Sequence, residues 1–506
     1  MKKITIIWII LIFSISGCDE FLDVNENPNF PDEVEDYLIL PSSQAGVASV
    51  MSADYGLIGS FWAQHWAQNN TSSQYQTFET YTLSSNDNRV DGSYLSMFTG
   101  GLGDNEIIHL KALQEENWGL YLMTATLKAY GFQYLVDFYG NVPYDEAFKG
   151  EVGNFTPVIN TGQEVYSAIY ELLNSALGKN LDGFSAARYA HYDLLLEANL
   201  DDWIDFANTL KLRIVLRQYA ANTAWANTEL ADLLANGTFL TRDVALTNFE
   251  DVDSKSNPLY EADQRQLNTS QNIRANATFT TYLKENNDSR LQALFAVVGG
   301  NIDGMIPGSY EVPTTEWMAP DVISKPFLTP TMPVYLMTEA ETNLLLAEAY
   351  LRLGDISSAE NYYKAGVLSS FDRMGADTTG MKLFSSVYPF PSTGFNAQLK
   401  AIIMQKWIDA AEGQRGAEAF LECVRTGFPE PASPEVQDQI PEGRESDLPE
   451  SYIPGTLIYS KKGATNGKFP VRLPYPDSEL NYNINAAEYK DIPDATVMQT
   501  KVWWNQ

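Results

Sequence analysis

Residues 337–371 carry the clearest hydrophobic pattern in the chain. Small and apolar residues recur every three or four positions there, which is the period of a buried helical face. The stripe consists of Ala340, Leu344, Ala347 and Leu351. Gly354 can adopt the left-handed conformation that ends a helix, and Asp355 is a good N-cap for the next one. The pattern therefore predicts two antiparallel helices joined by a tight turn.

The small and aromatic residues of this hairpin match the spacing of a tetratricopeptide (TPR) repeat, in which small residues let paired helices approach and rings fill the gaps. The matching positions are Leu346, Ala347, Tyr350, Gly354, Ala359 and Tyr363. No strict repeat of about 34 residues recurs elsewhere, so an ordinary hairpin in a globular core remains an alternative. In both cases the hairpin is scaffold and does not specify a function.

Other segments share the helical period and predict a mainly α fold, with TPR-like hairpins as scaffold, long irregular loops and a few short strands. These segments are residues 42–66, 117–139, 161–176, 203–219 and 396–411. Thr161 and Glu164 have the spacing of a capping box. In the segment 203–219, the apolar stripe predicts that Arg213 and Arg217 point outward. Residues 467–489, near the end, predict a short strand and turns.

Two irregular segments contain aromatic residues that could bind a ligand. Residues 69–92 form a polar loop beside two tryptophans, and residues 299–333 are rich in Gly, Pro and Thr. Flat rings on loops next to rigid helices are typical of sugar-stacking surfaces, although Trp at helical spacing also occurs in cores. The candidate ligand residues are Trp62, Trp66, Tyr75, Tyr81 and Trp317.

The start of the chain has the pattern of a bacterial lipoprotein. Two lysines precede an apolar run that is too short to cross a bilayer, and the run is followed by Ile-Ser-Gly-Cys, the order of a lipobox. This predicts a signal peptide at residues 1–17 and a diacylglycerol and N-acyl lipid, such as palmitate, on Cys18. Residues 18–41 are then a lipidated tether, and residues 42–506 form a single α-rich domain.

Composition narrows the choice of partner. The chain has 65 Asp and Glu against 33 Lys and Arg, a formal charge of -32, which disfavours nucleic acid because that partner requires positive patches. Aromatic residues make up 12% of the chain, enough to supply both a core and a binding surface. The acidic balance also hints against polyanionic glycans.

Catalytic and metal-binding patterns are mostly missing from the sequence. The three histidines, His65, His109 and His191, have no ligand-like spacing, and no phosphate loop or G-x-S-x-G motif occurs. Asp251, Asp253 and Asn257 resemble part of a calcium loop, but the glycine and terminal glutamate of an EF-hand are absent, so we interpret this stretch as a solvated loop. Structural calcium has no further support, and we expect no other cofactor.

Six stretches spread along the chain form a pattern when they are taken in order. They are Cys18 to Asn25 with Asn27 and Pro28, Tyr139 to Ala147, Trp203 to Arg213, Ala347 to Tyr350 with Gly354 and Asp355, Arg425 to Gly427 with Pro429, and Arg472 to Pro476 with Glu479. Together they resemble the SusD/RagB family of nutrient-binding outer-membrane lipoproteins, most closely its second SusD-like subgroup. The likeness covers essentially the whole mature chain.

The resemblance implies a SusD-like fold and a non-enzymatic lid on a SusC-like TonB-dependent transporter. The ligand would be an oligosaccharide or, as in the RagB branch, a peptide; ligand residues vary in the family, so none is carried over. It also implies a lipid-anchored, surface-exposed location in the outer membrane, although acidic residues directly after a lipidated cysteine can also signal inner-membrane retention. A helical surface glycoside hydrolase and a purely structural adaptor remain alternatives.

Overall fold

The computed structural model describes residues 34–267, 272–379 and 381–505. Cys18, the predicted signal peptide and the first part of the predicted tether lie outside these residues. The fold is mainly helical, as predicted. Within the described ranges, twelve helices have seven or more residues: α1 Asp36–Val50, α2 Gly56–Trp62, α3 Leu102–Gln114, α4 Trp118–Tyr139, α5 Gly162–Leu177, α6 Leu200–Arg217, α7 Thr223–Asn236, α8 Ala277–Glu285, α9 Glu339–Arg352, α10 Ile356–Arg373, α11 Phe395–Asp409 and α12 Gly416–Thr426.

The described strands form three antiparallel pairs of two strands each. They are β1 Trp66–Gln68 with β5 Ile273–Ala275, β2 Val142–Pro143 with β3 Ile159–Asn160, and β4 Val244–Leu246 with β6 Val334–Met337. Short helical turns fill most of the remaining chain. None of the described helices is both long and apolar enough to cross a bilayer.

Local signals in the sequence set the helix boundaries. Thr161 accepts a hydrogen bond from the Glu164 main chain, and the Glu164 carboxylate accepts one from the Thr161 main chain at 2.8 Å, which completes the predicted capping box. Gly354 has a φ of 84° at the turn between α9 and α10, and Asp355 caps α10 by accepting from Ser358 N at 3.0 Å. The predicted hairpin is therefore confirmed.

Helix pairs stack into a layered scaffold. Helices α3 and α4, α4 and α5, α6 and α7, and α9 and α10 pack as neighbours, while α6 also contacts α4 and α9. One large apolar cluster extends from Leu40 to Trp504. Helices α2 and α12 cross so closely that a Cβ added to Gly59 would lie 2.3 Å from the carbonyl carbon of Gly416. Only glycine allows this backbone contact.

Two boundaries differ from the sequence prediction. Helix α1 begins at Asp36, so residues 36–41 of the predicted tether are helical and bury Leu40. The predicted strand in residues 467–489 is absent from the described chain, where helical turns at Asp477–Tyr482 and Ile484–Tyr489 occur instead. Prolines at 470, 474 and 476 explain this, because each lacks the main-chain donor that a strand ladder needs.

The largest departure from the sequence prediction concerns charge. Arg213 and Arg217 do not point outward; both are buried at the centre of the helical layers. They belong to a continuous chain of buried or nearly buried ion pairs, which we call the buried ion network. Its members are Asp137, Arg213, Arg217, Glu341, Glu348, Arg352, Arg373, Lys406, Asp409, Glu412, Arg415, Glu418, Glu422 and Arg425.

Arg217, Glu418 and Glu422 each form three ion pairs, more than any other member of the network. The Arg217 guanidinium lies 2.7 Å from Glu418, 2.5 Å from Glu422 and 3.3 Å from Asp137. Burial raises the pKa of Glu418, but the nearby Arg217, Arg213 and Lys406 outweigh it and bring that pKa down to about 2. Glu418 is therefore charged at neutral pH, and most of the cations, Arg217 among them, hold carboxylates from other helices.

We expect Arg217→Met to lower the free energy of unfolding by about 3–5 kcal/mol, since it leaves three buried carboxylates without this cation. Arg242 provides the control, because it pairs with Asp202 at 3.1 Å with half of its side chain exposed. Arg242→Met should cost less than about 1 kcal/mol. Guanidinium unfolding of both variants measures the difference, and equal losses would contradict the cost that we assign to leaving these buried carboxylates unpaired.

Candidate ligand-binding site

Four of the five predicted ligand residues are core residues. Trp62, Trp66, Tyr75 and Tyr81 are each less than 5% exposed. The Trp62 indole donates to Phe78 O at 3.1 Å, and the Tyr75 hydroxyl donates to Asp263 at 2.7 Å. Because protein covers these rings, they cannot stack on a ligand in this structure. The prediction is corrected for these four, since rings at helical spacing or beside a helix end serve the apolar core here.

Trp317 has a different environment. It is partly exposed and packs at the edge of a second apolar cluster that contains Ala67, Met305, Tyr310, Ala319 and Ile323. The loop that bears it runs between short helical turns, as the composition of residues 299–333 predicted. A ligand role for Trp317 stays a prediction, and it is the one predicted ring that the structure leaves partly open.

Asn70 fixes the conformation of the loop around Trp317. Its amide nitrogen donates to Trp317 O at 2.8 Å and Val312 O at 3.1 Å, and its amide oxygen accepts from Ala319 N at 2.9 Å. Three bonds from one side chain to the loop main chain hold the ring in a set position before any ligand arrives. The sequence analysis did not identify Asn70, because its partners lie more than 240 positions away.

A short ladder of strands places two arginines beside this loop. Arg274 on β5 pairs with Ala67 on β1, and Arg444 forms an isolated antiparallel bridge with Met305. The Arg444 guanidinium carbon lies 5.8 Å from the centre of the Trp317 ring. We call the partly exposed Trp317 and Arg444, together with the buried Asn70 and Arg274, the Trp317 ledge. It combines an aromatic face with charged and amide groups, which is what a polar ligand with flat apolar faces requires.

A buried carboxylate supports the ledge from behind. Glu79 accepts from Gln68 N at 2.9 Å and from Gly308 N at 2.8 Å, so it joins β1 to the loop that leads to Trp317. Burial raises the pKa of Glu79 to about 7, although both main-chain donors favour the charged form. Glu79 therefore changes its protonation near neutral pH.

A cavity with a volume of about 620 Å³ lies elsewhere. Its lining is mainly polar and includes His191, Arg242, Asp243 and Tyr335. The Tyr335 ring is already covered by the Arg373 guanidinium at 4.8 Å. A smaller depression of about 320 Å³ includes Trp118, whose ring is occupied by Lys179 Nζ at 4.2 Å. Volume favours the first cavity. A partly exposed ring on a loop held by Asn70 favours the Trp317 ledge as the sugar-type site, and the Arg444 guanidinium over that ring is more distant, at 5.8 Å, than the cations over Tyr335 and Trp118.

An exposed apolar patch is a second surface feature. Five large side chains from two neighbouring loops are between 49% and 81% exposed: Val152, Phe155, Val158, Tyr482 and Ile484. The loops are tied together because Asn483 donates to Pro157 O at 2.9 Å and Asn485 donates to Thr156 O at 2.8 Å. Contiguous exposed apolar groups on a surface are typical of protein contacts.

His65 and the stretch from Asp251 to Asn257, both considered for catalysis or metal binding, have structural roles. His65 Nε2 lies 2.9 Å from Trp407 O, and burial lowers its pKa to about 3. Asn257 caps a helical turn, and Asp251 pairs with Arg265, so the calcium-like stretch is internally satisfied. Across the three described ranges, no group of three His, Cys, Asp or Glu side chains is placed to hold a metal ion.

A comparison with protein families identifies the chain. The family SusD-like_2, described as "Starch-binding associating with outer membrane", matches residues 28–445. The chain belongs to this SusD-like family. No curated protein matches the SusD-like chain.

Solved structures agree with this SusD-like assignment at the level of the fold. A chitin-binding SusD homolog from Flavobacterium johnsoniae is 20% identical with a TM-score of 0.72, and the match covers 92% of this chain and 98% of that one. A SusD homolog from Bacteroides uniformis is 23% identical with a TM-score of 0.68, covering 92% and 99%. The predicted SusD-like fold class is confirmed.

The raised pKa of Glu79 predicts a pH effect on stability. Because the pKa of the Glu79 carboxyl is higher in the folded protein than in the unfolded chain, this group stabilises the folded state fully below pH 4.5. That contribution to the free energy of unfolding is lost as the pH rises through 7. The free energy of unfolding falls by on the order of 3 kcal/mol over this pH range. In Glu79→Gln, the unfolding midpoint should fall less between pH 5 and pH 8 than in the unsubstituted protein. Glu316→Gln on the exposed loop is the control, and identical pH profiles for all three would contradict the assignment.

Proposed function

We propose that this SusD-like protein is a non-enzymatic lipoprotein that binds oligosaccharide at the Trp317 ledge and passes it, as a lid, to a SusC-like TonB-dependent transporter. Lipid on Cys18 holds it in the outer membrane, facing the cell surface. The observation that carries the proposal is the partly exposed Trp317 ring on a loop fixed by Asn70. The family description as starch-binding and the neighbour described as chitin-binding support a glycan as the ligand.

The ledge suits this role physically. A sugar ring has an apolar face that stacks on indole and hydroxyl groups that need hydrogen-bond partners. Fixing the loop beforehand lowers the entropy cost of binding, since the ring does not have to be ordered by the ligand. Binding requires no nucleophile or general acid, and the groups we assign to the ledge include neither.

We expect Trp317→Ala to weaken binding of chitotetraose or maltotetraose by about tenfold or more, because it removes the stacking face. Calorimetry measures affinity, and chromatography of the same mixtures should show the sugars uncut. Trp118→Ala is the matched control, as that ring lies in a separate depression. Loss of binding in Trp118→Ala alone would place the binding site in the depression around Trp118. Cleavage of the sugar would favour a glycoside hydrolase. Binding of peptides and not of sugars would favour a RagB-like lid.

The exposed apolar patch is the proposed contact with the transporter. Phe155 and Tyr482 are more than three-quarters exposed, so replacing them should not disturb the core. Phe155→Asp with Tyr482→Asp should reduce the transporter barrel recovered with the protein from detergent-solubilised envelopes, because two charges would be buried in the contact. Ile453→Asp, at another exposed apolar position, should leave recovery unchanged. Equal recovery with all three proteins would exclude the patch as the contact.

A further inference from the structure

Two arginines differ from all the others in this chain. Of 14 arginines, eleven form ion pairs, and Arg472 donates to the main-chain carbonyls of Tyr139 and Leu473. Among the described residues, Arg274 and Arg444 have neither an ion pair nor a side-chain hydrogen bond, and the Nε of each is buried without a partner. In a chain with twice as many acids as bases, unpaired guanidinium groups require an explanation.

Both arginines lie on the same side of one short ladder. Ala67 is the cross-strand partner of Arg274, and Met305 bridges both Asn276 and Arg444. Asn276 follows Arg274 by two residues, so their side chains share a face, and paired residues on neighbouring strands also share a face. Ala67 and Met305 belong to the cluster on which Trp317 packs. The Arg444 guanidinium carbon lies 5.8 Å from the centre of the Trp317 ring, and Arg274 lies on the same face of the ladder, two strands away from Arg444.

Arg274 is buried without an ion-pair partner among the described residues. Only 3% of the residue is exposed, and burial lowers its pKa to about 10, although Asp321 acts in the opposite direction. Asp321 is exposed and favours the charged guanidinium, but it forms no ion pair with Arg274 among the described residues. A buried guanidinium without a partner is costly, and its planar donor fork matches a carboxylate or sulfate. The ledge thus has donors in place for an acidic group.

We propose that the glycan taken by the Trp317 ledge is acidic, with a sugar carboxylate or sulfate ester received by Arg274 and Arg444 while Trp317 stacks on a sugar ring. This deepens the proposed function and rests on glycan binding at the ledge. The overall charge of -32 does not prevent such binding. At physiological salt, charges beyond about 8 Å are largely screened, whereas a buried contact is not.

The test compares three tetrasaccharides by calorimetry at about 0.15 M salt: tetragalacturonate (carboxylate), neocarratetraose sulfate (sulfate) and neutral chitotetraose. At least one acidic sugar should bind about tenfold more tightly than chitotetraose, since charge-assisted bidentate bonds are roughly twice as strong as neutral ones. The tighter of the two acidic sugars identifies the anionic group. Arg274→Gln and Arg444→Gln should each remove this preference, so that the acidic and the neutral sugar bind the variant with equal affinity.

Controls separate this inference from the proposed function. Arg242→Gln removes an exposed arginine at a different surface and should keep the preference. Arg444 is less buried than Arg274, so Arg444→Gln provides the measurement if Arg274→Gln fails to fold. Equal affinity for acidic and neutral sugars, or a preference that survives both substitutions, overturns the inference but leaves glycan binding intact. If none of the three sugars binds, or if Trp317→Ala leaves all affinities unchanged, the proposed function fails.

Discussion

The buried ion network is the constraint on which the rest of the structure depends. Seven cations and seven carboxylates from different helices lie in one connected chain at the centre of the fold. Each charge would be costly alone in this interior, and a buried pair often contributes little beyond what apolar residues would give. Removing one partner is much more costly. We infer that the network fixes the relative positions of α4, α6, α9, α11 and α12 more than it adds stability.

That rigid scaffold allows irregular segments to carry the candidate site. The Trp317 loop has few regular main-chain bonds of its own, so single buried side chains replace them: Asn70 holds the loop near the ring and Glu79 holds it near Gly308. Both clamps extend from the chain next to β1, which follows α2, and α2 is in backbone contact with α12. The position of the partly exposed Trp317 ring therefore depends on the buried helices through Asn70, β1 and α2.

Sequence reasoning succeeded where the signal is local. The helix ending at Tyr139, the Thr161 capping box and the turn at Gly354 depend on residues within four positions of one another. It failed where a partner lies far along the chain. Arg217 was predicted to face outward because a helical wheel cannot show that Glu418 and Glu422, some 200 positions later, neutralise it. The burial of the four rings and the lack of an ion pair at Arg274 were not predicted for the same reason.

Charge also explains why the ledge differs from the rest of the surface. The network contains equal numbers of positive and negative side chains, so the excess of acidic residues lies outside it. Nearly every other arginine also forms an ion pair with a carboxylate. Flexible surface acids would pair with a free guanidinium if the chain allowed it. Arg274 is held in a strand ladder and Arg444 in a bridge to Met305, with the Trp317 ring beside them. Neither guanidinium forms an ion pair among the described residues, although Asp321 acts on Arg274 and Glu445 adjoins Arg444 in the chain, so both can pair with an anion from outside.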